Sequence, residues 1–357
     1  MFTLKRIIKK IFFYFHSFLN LFKRGEVFII TEKESWIIKT ISQKISHYLN
    51  KDGKIKISTS LSPLFLKNKI IHFGCIHAFT SFGNLVHPSN KIIISWYHIN
   101  NRPIEKTHAQ EIRAKNITIH TACSSTKKGL IDLGIRAEQI KIVPLGINLK
   151  TFYPLPNPSQ KATLKERLGL PLDKIIIGSF QKDGNGWEEG LEPKLIKGPD
   201  IFCDVVKKLS QKFPLHILLT GPARGYVKNC LKEANNPFTH KYLKKYDNVA
   251  DFYHALDLYI ISSRVEGGPM AILESWATGT PLVSTPVGLI PDISTNEKNI
   301  LLADIENTNQ LSAQAERIIK DKELSQKLTE NALQEVKNYT WQKMAENIYQ
   351  QIYSEEK

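Results

Sequence analysis

The chain has little cysteine and no paired spacing of it. Cys75, Cys123, Cys203 and Cys230 form no CxxC and have no His or Cys at metal-ligand spacing. That argues against a zinc module or a disulfide scaffold and for reduced, buried thiols in a cytosolic setting. No repeat period and no long low-complexity tract is present, which argues against solenoids and propellers. The uncharged apolar run Ile11 to Phe22 falls short of the about 20 residues a membrane span needs. It has the charge and length of a signal peptide, but Lys23 and Arg24 follow where a small-residue cleavage site belongs. Acid is absent from residues 1–24, which carry Lys5, Arg6, Lys9, Lys10, Lys23 and Arg24.

The 357 residues suit two domains, and 42% hydrophobic with 23% charged residues is the balance of a soluble globular protein. The net charge of +15 favours an anionic partner: nucleic acid, a phosphorylated small molecule or an acidic membrane. No nucleic-acid module is recognisable, so that partner class is set aside. The stretch "LKRIIKKIFFYFHSFLNLF" reads as an amphipathic helix. Leu4, Ile8, Ile11, Phe12, Phe15, Phe18, Leu19 and Phe22 share one face, and Lys5, Lys9, His16, Asn20 and Lys23 the other. An aromatic face beside a basic one suits an anionic membrane surface. The alternative is a terminal helix packing that apolar face on the first domain.

Short apolar runs then alternate with helical patterns. "EVFIIT" (26–31), "KIKIS" (54–58), "KIIHFG" (69–74), "KIIISWYHI" (91–99), "ITIHTA" (117–122) and "QIKIVPLGI" (139–147) read as strands of a first half. "KIIIGSF" (174–180), "LHILLTG", "LDLYIISS", "PLVST" and "NILLA" read as strands of a second. Two closing helices are expected at about 308–338 and 340–353. Four prolines within 154–171 mark the intervening stretch as a linker. The alternation implies parallel sheets covered on both faces, in two doubly wound α/β domains facing a cleft. The expected division is 1–24 as a basic amphipathic helix, 25–153, a linker 154–172, 173–339, and 340–357 as a helix returning to the first domain. Ligands of such sheets sit at the carboxyl ends of strands.

The loop with the most chemistry is "RVEGGPMAILESWATGTP", Arg264 to Pro281. Gly267 and Gly268 permit close backbone approach, and Pro269 fits the first position of a helix that Gly279 stops. The amides near Gly268, Met270 and Ala271 then face outward at a helix tip, a site for phosphate. Glu266 precedes the tip. Glu274 lies one turn below Met270, about 6 Å along the axis, where a carboxylate can accept from a vicinal diol. Solvated surface acids are the plainer reading of both.

The E-x7-E spacing within "SSRVEGGPMAILESWATGTPLVSTPVGLIPDI" resembles the signature of the family-4 retaining glycosyltransferases. "KIVPLGINLKTF", "IIIGSF…KLIKGPDIF", "YDNVADFYHALDLYIISS" and "NYTWQKMAENIYQQIY" are similar to further segments of that family. The resemblance covers about Ile117 to Ile293 most strongly. It implies the GT-B fold, two Rossmann-like doubly wound domains facing a cleft, with a C-terminal helix crossing back to the first. It implies transfer of a sugar, with retention, from a nucleotide-diphosphate sugar to an acceptor; the basic amphipathic N-terminus suggests a glycan or lipid-linked acceptor, which would fit bacterial surface polysaccharide assembly. No cofactor and no metal are implied; the nucleotide sugar is the substrate. Among the residues, Glu266 would contact the donor sugar, Glu274 the ribose, and Gly267, Gly268, Pro269, Met270 and Ala271 the pyrophosphate or sugar. Lys197 in "KLIKGPD" would stabilise the departing diphosphate.

Two departures from the family stand out. The residue after Gly178, usually Arg, is Ser179, and both Gly178 and Ser179 are expected among the donor-binding residues. Lys182 is the expected replacement cation, with Lys194 behind it, and Arg224 in "TGPARGY" is a further candidate phosphate contact. The usual glycine-rich loop after the first strand is here "TEKESW", so Glu32 to Ser35 are expected to make acceptor or side-chain contacts. His98 ends a strand where the family often places a histidine near the reacting sugar; His72 and His77 are lesser candidates. The loop acids Asp183, Glu188, Glu189 and Glu192 read as acceptor contacts or loop structure. The partners expected are a nucleotide-diphosphate sugar, a glycan or lipid-linked acceptor, and an anionic membrane met by residues 1–24. The setting expected is cytoplasmic and peripheral at the inner face of the cell membrane. Two rival readings share the architecture: a nucleotide-sugar 2-epimerase, which needs no acceptor, and a non-catalytic carbohydrate-binding protein, which the missing Arg and glycine loop would suit.

Overall fold

A computed structural model describes residues 13–31, 37–99 and 103–356. Glu32 to Ser35 and most of the basic residues of 1–24 lie outside that set. The chain divides into two compact units, Met1–Gly146 with Trp341–Lys357, and Ile147–Thr340.

The first unit is built on a six-stranded parallel sheet: β1 (Val27–Ile30), β2 (Ile57–Ser60), β3 (Ile70–Phe73), β4 (Lys91–Ser95), β5 (Thr118–Thr121) and β6 (Ile140–Ile142). Their order is β2-β1-β3-β4-β5-β6. The second unit repeats the plan with β7 (Ile175–Phe180), β8 (Leu215–Thr220), β9 (Phe238–Lys241), β10 (Leu258–Ile261), β11 (Leu282–Ser284) and β12 (Leu301–Leu302), ordered β12-β11-β10-β7-β8-β9. β1, β3, β8 and β10 are buried at every position. Continuous Ile, Leu, Val and Phe is what a parallel sheet with both faces covered requires. The two Rossmann-like α/β units expected from the sequence are present.

The unit boundary differs from the expected one. Ile147 bridges to Thr340, and its N–H donates to Tyr339 O at 2.8 Å, so the chain enters the second unit there and not near residue 153. The stretch read as linker holds a helix, Pro158–Leu168. Asn157 caps its N-terminus by accepting from Ser159 N–H, and Gly169 ends it at φ +71°. Pro158 opens that helix and the other three prolines lie outside it, so none interrupts it.

The helix Trp341–Ile348 and the π turn Tyr349–Tyr353 belong to the first unit. Trp341, Met344, Ala345, Ile348, Ile352 and Tyr353 are buried. The Tyr353 hydroxyl meets His72 Nδ1 at 2.6 Å, His72 Nε2 meets Ser95 Oγ at 2.9 Å, and Ser95 Oγ meets His120 Nδ1 at 3.0 Å. Residues 13–18 are helical and Leu19–Phe22 form a 3-10 turn. This segment turns its polar side inward: Ser17 and Asn20 are buried, and Asn20 Nδ2 donates to Ser62 O and Leu64 O at 2.9 and 3.0 Å. Tyr14, Phe15, Phe18, Leu21 and Phe22 are exposed. Packing of the apolar face on the first unit, the alternative raised above, is not what residues 13–22 do. Among the described residues no helix is long and apolar enough to cross a membrane.

Candidate functional site

In the second sheet the chain leaves β7 towards β8 and β9 on one side, then returns to lay β10, β11 and β12 on the other. The carboxyl ends of neighbouring β7 and β10 are therefore the switch point, where an open α/β sheet leaves a crevice. The loops leaving these two ends carry Lys197 and Glu266.

Backbone contacts join the loops. Arg264 N–H and Val265 N–H donate to Ile196 O at 2.9 and 3.1 Å, and Ser262 Oγ donates to Gly198 O at 2.8 Å. Gly198 has φ +60°, and a Cβ there would lie 1.9 Å from Ser262 O. Arg264 forks onto both oxygens of Asp200 at 2.9 and 2.7 Å. Lys197 Nζ thereby sits 2.7 and 2.6 Å from Glu266 Oε1 and Oε2. Ser263 Oγ donates to Glu266 Oε1 at 2.9 Å. Gly288, at φ +55°, presses on the Glu266 backbone; a Cβ would meet its carbonyl at 2.9 Å. The result is a buried carboxylate and a half-buried ammonium side by side at the switch point.

The helix after Glu266 is Met270–Thr278, ended by Gly279 at φ +71°. Pro269, expected as the first helical residue, is instead the N-cap, with ψ +115°, so the helix starts one residue later than the sequence suggested. Proline has no side chain that can accept, so no side-chain cap occupies the tip amides. Neither Gly267 nor Gly268 takes a positive φ. Glu274 faces inward from the same helix and is buried. Tyr246 and Tyr253 hydroxyls donate to its two oxygens, Tyr253 at 2.7 Å. Burial raises the Glu274 pKa, and the two phenol donors partly offset that.

Other expected residues are placed differently. Arg224 is enclosed. Its Nη1 donates to Ser179 O and Thr220 O at 2.6 and 2.8 Å, and Nη2 to Ser179 Oγ at 3.1 Å. Its Nε lies 2.9 Å from Asp183 Oδ1, both side chains fully buried, a charge contact without an aligned hydrogen bond. Arg224 and Ser179 thus brace the base of the 181–197 loop and are not turned to a phosphate. Asp183 is a structural acid, its pKa raised by burial and only partly restrained by Arg224. Lys182 Nζ lies over the Trp187 ring, 3.7 Å from its centroid. Lys194 is a weaker base than usual, through burial first and then the nearby charges of Lys197 and Lys182. Gly178 is buried inside β7, where a Cβ would strike Leu256 Cδ1 at 2.3 Å, so packing accounts for it. In the first unit, His98 is exposed beyond β4, and His77 is exposed on the helix Ile76–Phe82. His72 is locked in the buried network described above.

Reading the sequence missed Tyr246, Tyr253, Ser263 and Gly288. The tyrosines and Ser263 lie in segments quoted for the family resemblance, but nothing in their spacing says whose oxygen they meet. Among the described residues no group of three or more His, Cys, Asp or Glu is placed to hold a metal ion.

The sequence model of the family described as "Glycosyl transferases group 1" matches residues 191–335. An uncharacterised glycosyltransferase of Methanocaldococcus jannaschii is 30% identical over 162 residues, 44% of this chain and 45% of that protein. The lipopolysaccharide core biosynthesis mannosyltransferase LpsB of Rhizobium meliloti is 29% identical over 158 residues, 42% of this chain and 41% of that protein. The chain spans about half the length of the curated relatives it matches. Among solved structures, HepE of Anabaena in complex with UDP and glucose superposes with a TM-score of 0.73 at 15% identity, covering 92% of this chain and 99% of that one. A sucrose-phosphate synthase from Thermosynechococcus elongatus superposes with a TM-score of 0.66 at 18% identity, covering 89% of this chain and 79% of that one. The shared two-domain α/β architecture is the GT-B fold.

Proposed function

We propose that the protein is a retaining glycosyltransferase that moves a sugar from a nucleotide-diphosphate sugar to a glycan or lipid-linked acceptor. The observation that carries this reading is the Lys197–Glu266 pair at the β7/β10 switch point, followed at once by a helix tip without a side-chain cap. The group 1 match over 191–335 and the relatives above support it, as does the UDP complex of HepE.

In this reading the tip amides and Lys197 take the donor's diphosphate. The ammonium has three N–H donors, so it serves a phosphate oxygen while keeping Glu266. Glu266 orients the sugar hydroxyls, and Glu274 takes the ribose diol. The bond from the anomeric carbon to the phosphate oxygen breaks, and the acceptor hydroxyl forms a bond on the same face. Its proton goes to the departing phosphate, so no enzyme nucleophile is required. Charge grows on the leaving diphosphate, and Lys197 stabilises it. The exposed aromatic face of residues 13–22 suits a setting against an anionic membrane, and so a lipid-linked acceptor in surface polysaccharide assembly.

The test is a panel of UDP-, GDP- and ADP-sugars, read first by thermal shift and then by release of nucleoside diphosphate with added acceptors. One donor class stabilises the chain and turns over with the anomeric configuration kept by NMR. Glu266→Gln lowers kcat by about 10²–10³, the scale for loss of a positioned polar group in a transition state. An epimerised donor with no transferred sugar, or full activity in Glu266→Gln, overturns the reading.

A further inference from the structure

Glu274 is the one described acid whose two oxygens are each met by a tyrosine hydroxyl, and the two tyrosines differ in freedom. Tyr253 is fully buried on the helix Val249–His254. Tyr246 opens a single 3-10 turn, Tyr246–Asn248, and is 41% exposed although its hydroxyl rests on buried Glu274. Lys244, Lys245, Asp247 and Asn248 around it are exposed. Its ring also makes a tilted contact with the Phe152 ring, centroids 5.7 Å apart. Glu274 itself is only 6% exposed, so a ligand coming from solvent meets Tyr246 first.

We propose that Tyr246 is a displaceable cap on Glu274: its hydroxyl holds the place of a ribose hydroxyl in the empty site and leaves when a ribonucleoside diphosphate binds. This rests on the reading of Glu274 as the ribose acceptor. A buried carboxylate left without donors is costly, so a removable donor keeps the empty site stable. The same donor competes with the ligand. Tyr253 stays and fixes the carboxylate's orientation. Tyr246 is thus a positioning and selectivity residue, since only a ligand that returns a hydroxyl to the same oxygen replaces it without loss.

The experiment titrates the full chain with UDP, GDP, ADP and CDP by calorimetry, then compares the tightest of them with its 2′-deoxy counterpart. Tyr246→Phe keeps the ring and its contact with Phe152 and removes only the competing hydroxyl. It is expected to tighten the ribonucleoside diphosphate about tenfold and the 2′-deoxy form less, while slightly lowering the melting temperature of the empty chain. Tyr253→Phe is expected to weaken both. Unchanged or weaker binding of the ribonucleotide by Tyr246→Phe overturns the proposal. Glu274→Gln separates the two readings. If it abolishes the preference for ribose while Tyr246→Phe behaves as the unsubstituted chain, the cap fails and the ribose site stands. If it leaves that preference intact, or none of the four nucleotides binds the unsubstituted chain, both fall.

Discussion

At Gly198 the backbone takes φ +60° directly against the end of β10, one of the close loop contacts that bring Lys197 to Glu266. An alanine there needs a left-handed conformation and places Cβ 1.9 Å from Ser262 O, so the two loops must separate. Gly198→Ala is expected to lose about 2 kcal/mol or more of stability, the strain of an unfavourable φ plus the clash. Gly53 is the control: φ +67° with open space around it, so Gly53→Ala loses about 1 kcal/mol from conformation alone. Urea unfolding of both variants checks this, and equal losses would count against the packing argument. The same residues show what the sequence made legible at this scale. Lys197, Glu266 and Glu274 could be singled out as candidates because each sits at a fixed place relative to glycines and a helix start. Arg224 was misread because its fate depends on Asp183 and Ser179, from other elements; nothing near "TGPARGY" says that the guanidinium turns inward.

Among the elements, the six strands of the first sheet were legible from runs such as "VFII" and "IIHF", buried at every position. β9 was not, because its "FTHK" is half-buried at the sheet edge and carries no apolar run. The helix Pro158–Leu168 was hidden by prolines that lie outside its interior, while its true signals were Asn157 and Gly169. The network joining β3, β4, β5 and the terminal Tyr353 was also invisible, since it pairs residues of different strands and reaches from His72 to Tyr353, 281 positions on. Its energetic consequence is a pH dependence. Burial, with the neighbouring His120, lowers the His72 pKa to about 3; burial lowers that of His120 to about 4. Both folded values lie below the unfolded 6.5, so the unfolded chain takes up protons first as pH falls. Stability therefore drops from about pH 6.5 downward, by about 2 kcal/mol per histidine between pH 7.5 and pH 5. That figure depends on the unfolded pKa, because both native sites stay neutral at pH 5. Denaturant unfolding at the two pH values should show the drop, and it should shrink in His120→Gln. An unchanged difference in that variant would exclude the network as its source.

For the whole molecule, the sequence places six basic residues and no acid in the first 24, within a chain of net charge +15. The structure adds what direction the adjoining segment faces. Asn20 is pinned by Ser60, Ser62 and Leu64, and Lys23 Nζ donates to Thr59 O at 2.8 Å, so the polar side is committed inward. Phe15, Phe18 and Phe22 are left 60%, 49% and 71% exposed, on the face the amphipathic pattern assigned to a membrane. Three phenylalanines inserted into an interface contribute an appreciable part of the about 1.5–3 kcal/mol each gains on full burial. Basic residues near an anionic surface add about 1 kcal/mol apiece, screened by salt. Replacing all three by serine should therefore weaken binding to phosphatidylglycerol vesicles more than tenfold. The melting temperature should stay close to the unsubstituted value, because these rings pack little on the fold. Vesicle flotation at low and high salt reads both contributions: the triple variant loses the salt-resistant part, and salt removes the rest. Binding to neutral phosphatidylcholine as strong as to phosphatidylglycerol, or a triple variant that binds like the parent, would detach the aromatic face from any membrane role.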